Sequence, residues 1–278
     1  MGIISILTAL DEHYLPQLHV LLTSLRLNNP GEQADLYLLQ SSISPKGLSR
    51  VERQCSAFGY RFFPVQVDDT LFQGAPVTRQ YPKEMYYRLL AARLLPDSLG
   101  RVLYLDPDIL VINPLRPLWE TDLEGNLFAA AAHTGKTELA NSVNRMRLNS
   151  GSDYYNSGVL LMDLAAARGE IDPEELFRYA AEHKLELLLP DQDLLNALYG
   201  RRILPLDDGL WNYDARNYNN YLLRSSGVRD LQWVMGHTAV LHFCGKAKPW
   251  KPGYVYRFGV LYQHYAQITR RVCGEIGL

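Results

Sequence analysis

Cysteine is scarce in this chain of 278 residues, where only Cys55, Cys244 and Cys273 occur. They are odd in number and have no CxxC spacing, which argues against a disulfide framework and a structural zinc site and fits a reducing compartment. Excess positive charge is lacking as well. Lys and Arg number 28 against 30 Asp and Glu, a formal charge of −2, so the basic field that dominates nonspecific binding to nucleic acid is missing. No nucleic-acid partner is expected. The opening stretch Met1 to Leu10 has no basic n-region and stops at Asp11-Glu12-His13, and no later run approaches the roughly 18 apolar residues needed to cross a bilayer. The expectation is a chain without a signal or spanning segment. Also absent are GxGxxG, GxxxxGK[ST], GxSxG and HExxH, which removes the common dinucleotide, P-loop, serine-hydrolase and zinc-protease signatures.

What is present is the composition of a folded protein, 47% hydrophobic and 21% charged. The length allows one large domain or two small ones. With no internal repeat, low-complexity tract or linker, one domain with a specialised C-terminal third is expected. Short aliphatic runs alternate with helical periodicities, the pattern of strands joined by helical crossovers in a mostly parallel sheet. Ile3 to Leu7, Leu36 to Leu39, Tyr60 to Val67, Val102 to Leu105, Leu127 to Ala131, Gly158 to Met162 and Val240 to Phe243 read as strands. Leu15 to Leu27, a segment opened by Ser44-Pro45, Tyr86 to Leu95, Pro173 to His183 and Gln192 to Tyr199 read as helices. After Gly200 the pattern turns irregular, and Trp211-Asn212-Tyr213, Tyr218 and Tyr221 suggest a loop-rich surface. Tyr254 to Val272 reads as a helix that docks on the fold or touches a partner or membrane surface.

The run Val102 to Leu105 empties directly into Asp106-Pro107-Asp108. Open α/β sheets bind ligands outside the carboxyl ends of their strands, and two carboxylates that close need a positive group between them. Mg²⁺ or Mn²⁺ meets that need with hard oxygen ligands and keeps part of its shell for substrate phosphates. Asp and Pro are also ordinary turn residues, so a solvated turn is the other reading.

Val102 to Val111 resembles the DxD segment of glycosyltransferase family 8, the group that includes bacterial lipopolysaccharide galactosyl- and glucosyltransferases and glycogenin. Further along, Pro114 to Trp119 (PLRPLW) resembles the family's PL.PLW stretch, Asn156 to Leu161 (NSGVLL) its N.GVLL strand, and Asp191 to Asn196 (DQDLLN) its DQD.LN helix start. His242 to Trp250 (HFCGKAKPW) resembles the H..G..KPW signature. Five matches in one order are far more specific than any one of them.

The resemblance implies an α/β protein of GT-A fold, with a mixed, mostly parallel central sheet flanked by helices. It implies a single domain, 1–278, with a nucleotide-binding half over residues 1–125 and a donor, acceptor and C-terminal part over residues 126–278. It further implies a UDP-hexose donor, Mn²⁺ with Mg²⁺ as the alternative, and retaining transfer to a glycan or glycolipid acceptor of the cell envelope. A cytoplasmic location, compatible with peripheral contact at the inner membrane, goes with such donors. By position, Asp106, Asp108 and His242 match the metal ligands, while Gly245 and Lys248 match contacts to the diphosphate. Ala9 and Asp11 match the uracil and ribose side, with His13 standing where relatives often carry Asn. Arg88, in Tyr86-Tyr87-Arg88, falls beside the diphosphate or donor sugar.

Asn156, Asp191 and Gln192 are the candidates for the sugar end. His133 stands where several galactosyl-transferring relatives have Asp, so galactose and glucose both remain open. Retention normally uses a carboxylate nucleophile, yet the matched position is Gln192, which favours front-face transfer; Asp191 could act as the nucleophile or contact a sugar hydroxyl. Trp211, Asn212, Tyr213, Tyr218, Tyr221 and Trp250 supply faces and amides for an acceptor sugar, or pack inside. A phosphohydrolase using Asp106 and Asp108, and a non-catalytic nucleotide-sugar-binding relative, are the competing functions.

Overall fold

The computed structural model describes residues 2–72, 84–132, 147–148 and 151–277. The chain opens with β1 (Ile4–Ala9), α1 (Leu15–Asn28), β2 (Ala34–Gln40), α2 (Pro45–Phe58) and β3 (Arg61–Gln66). Each helix returns the chain so that the three strands run parallel. The start and stop of α2 are written locally. The Ser44 hydroxyl accepts the Gly47 N–H at 3.1 Å, Pro45 sits in the first turn, and Gly59 closes the helix at φ +75°.

On the other side of β1 lies β4 (Arg101–Leu105), also parallel to it. The sheet then continues through β7 (Val159–Asp163), β6 (Phe128–Ala131) and β8 (Ile203–Leu206), giving the order β3-β2-β1-β4-β7-β6-β8 with β7 antiparallel to both its neighbours. A second sheet is built from three short strands, β5 (Ile109–Val111), β10 (Val240–His242) and β9 (Tyr213–Asp214), in the order β5-β10-β9.

Alternate residues of one strand supply opposite cores. Tyr104 and Leu160 pack on one face of the large sheet, Leu103 and Leu161 on the other, and all four are fully buried. Such two-sided burial is why these strands read as continuous apolar runs. A third cluster, including Leu110, Tyr213, Leu241, Phe243 and Tyr262, surrounds the small sheet.

Three longer helices complete the frame: α3 (Pro173–Glu182), α4 (Pro190–Tyr199) and α5 (Gly259–Glu275). α5 buries Tyr262, Tyr265 and Thr269, lies against α1, and its Tyr265 hydroxyl accepts from Asn28 Nδ2 at 2.7 Å. It is a docking helix. Among the described residues, no helix is long and apolar enough to cross a membrane, and all three cysteines are free.

Two expectations are corrected. The helix read over Tyr86 to Leu95 is two short ones, Glu84–Tyr87 and Ala91–Leu94, and the break holds Arg88, whose guanidinium reaches the Ser157 carbonyl at 3.0 Å. The region after Gly200 is not a loop-rich aromatic surface. Tyr213 and Tyr221 are buried with rings stacked 3.9 Å apart, and Asn212 is wholly enclosed, because a two-residue strand and short helices carry the chain there, below the length at which periodicity shows.

α4 is positioned by its own residues. Asp193, fully buried, accepts from Arg147 Nη2 at 2.7 Å, Tyr154 OH at 2.5 Å and the Leu188 and Leu189 N–H groups at 2.6 and 3.0 Å. Asn196 clamps the Tyr155 backbone from both sides, accepting its N–H at 2.7 Å and donating to its carbonyl at 2.8 Å. Stripping a buried charge from its partner costs about 3–5 kcal/mol. Asp193→Ala is therefore expected to lower the urea unfolding free energy by about that amount, whereas Asp191→Asn, at a partly open position, is expected to leave it nearly unchanged; equal loss in both would contradict the division of roles.

Candidate active site

β1 and β4 are parallel neighbours, and the chain leaves their carboxyl ends in opposite directions, so a crevice opens there. It holds about 360 Å³ and is lined by Ala9, Asp11, Tyr14, Arg88, Asp106 and Asp108 among others. A larger hollow of about 620 Å³ lies between α1, α2 and α5, but it includes neither carboxylate and not His242. Chemistry rather than size marks the site.

Asp106-Pro107-Asp108 is the handover from the large sheet to the small one, since β4 ends at Leu105 and β5 begins at Ile109. In the small sheet, β10 runs antiparallel to β5 with His242 opposite Ile109. That register sets the imidazole beside Asp108. Asp106, Asp108 and His242 bring one donor atom each to within 4.8 Å of one another.

The oxygens of the two carboxylates are divided. Asp106 Oδ1 accepts from Tyr104 OH at 2.7 Å and pairs with Arg88 Nη2 at 3.0 Å, while Oδ2 faces His242 Nε2 at 3.8 Å. Asp108 Oδ2 is held by the Lys248 ammonium, while Oδ1 faces His242 Nε2 at 3.2 Å. Each carboxylate thus has one oxygen anchored by a fixed cation and one turned toward a common point. Two hard oxygens and one imidazole nitrogen suit Mn²⁺ or Mg²⁺. Burial opposes ionisation of Asp108, but His242 and Lys248 outweigh it and hold its carboxyl well below the ordinary carboxylate range.

Arg88 links this centre to the start of α4. Burial works against its charge, but Asp106, Tyr104 and Asp191 raise its pKa further above the usual value. Its Nη1 pairs with Asp191 Oδ2 at 3.1 Å, and the same oxygen accepts from Ser157 Oγ at 2.9 Å. Next to Asp191, Gln192 Oε1 accepts from Asn156 Nδ2 at 3.0 Å.

Most residues singled out from the sequence therefore meet at one place. Ala9, Asp11, Arg88, Asp106 and Asp108 line the crevice, Lys248 and His242 close on Asp108, and Asn156, Asp191 and Gln192 form one cluster beside Arg88. Two others, His13 and Gly245, have surroundings of a different kind. The His13 side chain is 92% exposed and pairs only with Asp11, at 3.4 Å, because Asp11 caps the short turn in which it sits. Gly245 adopts φ +80° beneath Arg216, and a Cβ there would lie 2.2 Å from Arg216 Nη1. Its glycine is required by the backbone and by this guanidinium, which Asp214 holds at 2.7 Å. His133 lies outside the described residues.

The sequence reading passed over Tyr14, Ser157, Arg216 and, above all, Gly158. A Cβ at Gly158 would lie 2.3 Å from His242 Cε1 and 2.6 Å from Asp106 Oδ2. Its signal in the sequence is the G of the N.GVLL stretch, which gave it no role of its own.

A crevice at the β1/β4 switch point with an Asp-x-Asp handover and a histidine from a second sheet is the arrangement that the resemblance to glycosyltransferase family 8 implies, and the GT-A fold is shared with the solved structure described below. The model of Glycosyl transferase family 8 matches residues 5–252, and the chain belongs to that family. It is 28% identical to General stress protein A of Bacillus subtilis over 96% of this chain and 94% of that one. It is 26% identical to a lipopolysaccharide 1,2-glucosyltransferase of Escherichia coli K12 over 88% of this chain and 72% of the relative. Among solved structures, the galactosyltransferase LgtC in complex with donor and acceptor sugar analogues superposes with a TM-score of 0.77 at 25% identity, covering 95% of this chain and 96% of LgtC.

Gly158→Ala is expected to fold, because Gly158, in the turn that leads into β7, does not have a positive φ, but to displace His242 or Asp106. Titration of Mn²⁺ against the purified variant should show binding weakened on the order of 10–100-fold or more, with the melting temperature in chelator close to that of the wild type. Undiminished Mn²⁺ affinity would contradict the packing described.

Proposed function

We propose that this chain is a divalent-cation-dependent, retaining hexosyltransferase that moves galactose or glucose from a UDP-sugar to a glycan of the cell envelope. The observation that carries the reading is the convergence of Asp106, Asp108 and His242 at the mouth of a crevice, with Lys248 and Arg88 fixing the outer carboxylate oxygens. The relationship to the lipopolysaccharide 1,2-glucosyltransferase supports the acceptor class.

In this reading Ala9, Asp11 and the exposed face of Tyr14 receive the nucleoside end of the crevice. Asp106 Oδ2, Asp108 Oδ1 and His242 Nε2 hold Mn²⁺ or Mg²⁺, which supplies charge neutralisation for the departing diphosphate. Lys248 adds a second positive charge on the same side, and Gly245 leaves the backbone near it free of a side chain. No side-chain general acid is needed for a leaving group so neutralised.

Asn156, Asp191 and Gln192 receive the hexose. The Asp191 oxygen that pairs with Arg88 and Ser157 is drawn away from nucleophilic work, while the Gln192 amide oxygen is suited to stabilising developing positive charge at the anomeric carbon. Front-face transfer follows, in which the leaving phosphate oxygen takes the proton of the acceptor hydroxyl.

The test is nucleotide release from a panel of nucleotide sugars, with Mn²⁺ or with chelator. One UDP-hexose is expected to be slowly hydrolysed by the wild type only with the cation, and Asp108→Ala should lower that rate on the order of 100-fold or more. Gln192→Ala should reduce turnover while leaving Mn²⁺ binding intact. Release that persists in chelator, or that Asp108→Ala does not alter, would overturn the assignment.

A further inference from the structure

Asn212 immediately precedes the short strand β9, is wholly buried, and touches neither the crevice nor the surface. Its side chain lies between two residues of the site. His242 Nδ1 is 2.9 Å from Asn212 Oδ1, and Asn212 Nδ2 is 2.9 Å from Asn156 Oδ1. Asn156 Nδ2 in turn reaches Gln192 Oε1 at 3.0 Å.

The direction of this chain of hydrogen bonds is set by one backbone group. The Gly158 N–H lies 2.9 Å from Asn156 Oδ1, and a backbone N–H can only donate, so the Asn156 atom facing it is the carbonyl oxygen. The Asn212 atom on that same oxygen must then be the amide nitrogen. Asn212 therefore turns its oxygen to His242, and an oxygen without a proton requires Nδ1 to carry one. With Nδ1 committed to Asn212, Nε2 is the nitrogen left to face Asp106 Oδ2 and Asp108 Oδ1, as a donor to them or, once a cation sits between them, as a lone pair toward it. The other end is fixed by the same logic. Both lone pairs of Asn156 Oδ1 are engaged, so toward a sugar Asn156 offers N–H alone.

We propose that Asn212 is a positioning residue that holds His242 in the Nδ1–H tautomer and ties the cation-binding edge of the site to the hexose-binding amides Asn156 and Gln192. The inference rests on the cation site assigned above. Asn212 touches no substrate and acts through its two neighbours, as partners behind a metal-ligating histidine do elsewhere.

The experiment is Mn²⁺ binding to the full chain, read from the free-ion electron paramagnetic resonance signal, with melting temperature in chelator measured alongside. Asn212→Leu removes both contacts and is expected to weaken Mn²⁺ binding about 10–100-fold. In a His242→Ala background the same substitution is expected to add nothing, because its effect passes through the imidazole. Asn212→Asp keeps an acceptor for Nδ1 but sets an oxygen against Asn156 Oδ1, so Mn²⁺ affinity should stay close to wild type while hexose turnover falls. Full Mn²⁺ affinity in a folded Asn212→Leu, or additive losses in the double variant, would overturn the proposal and leave the cation site standing. Unchanged affinity in His242→Ala alone would overturn the cation site and the inference with it.

Discussion

Two carboxylates one residue apart repel each other, and the arrangement of this molecule answers that repulsion. Asp106 and Asp108 stand at the end of a buried strand, where each is partly cut off from water. A fixed cation takes one oxygen of each: Arg88 from the segment that precedes β4, and Lys248 from the loop that follows β10. The remaining oxygens are thereby pointed the same way, and His242 completes the set. Every element that delivers one of these groups has to be in register for the pair to be tolerated, and the result is two unanchored carboxylate oxygens and one imidazole nitrogen gathered at one point.

The same division of labour runs through the sequence Asp191-Gln192-Asp193. Two acids that look alike in the motif lie on opposite sides of a boundary. Asp193 turns inward and satisfies backbone N–H groups and a partly buried guanidinium, so it fastens α4; Asp191 turns toward Arg88 and stays partly open. Helical spacing separates them by about 200°, which is enough to give one acid to the frame and the other to the site.

The strands and the Asp-Pro-Asp handover were legible in the sequence because a strand buried on both faces is an unbroken apolar run, and a pair of acids at its end stands out against it. His242 and Lys248 were visible only through a resemblance, since an isolated histidine or lysine carries no periodic signal. β5, β8 and β9 were not legible: β5 follows at once on the Asp-Pro-Asp turn, Pro205 interrupts β8, and β9 is only two residues long. Asn212, Gly158 and Arg216 were hidden for a different reason. Their roles are defined by what approaches them in space, namely the imidazole of His242, its Cε1 edge, and the backbone of Gly245. The aromatic-rich stretch around residues 211–221 was read as surface because Tyr and Asn are polar in composition, while its burial comes from stacking of Tyr213 on Tyr221 against the small sheet.

The handover between sheets also has a consequence for synthesis on the ribosome. Asp108 and Lys248 are 140 positions apart, and β10 joins β5 only after all the residues between Val111 and Val240 have been made. The parallel strands β1 to β4 can begin to associate early, but Asp108 has neither imidazole nor ammonium until His242 and Lys248 have been made. A chain ending before His242 would therefore leave Asp108 without either of its partners, even with Arg88 already on Asp106.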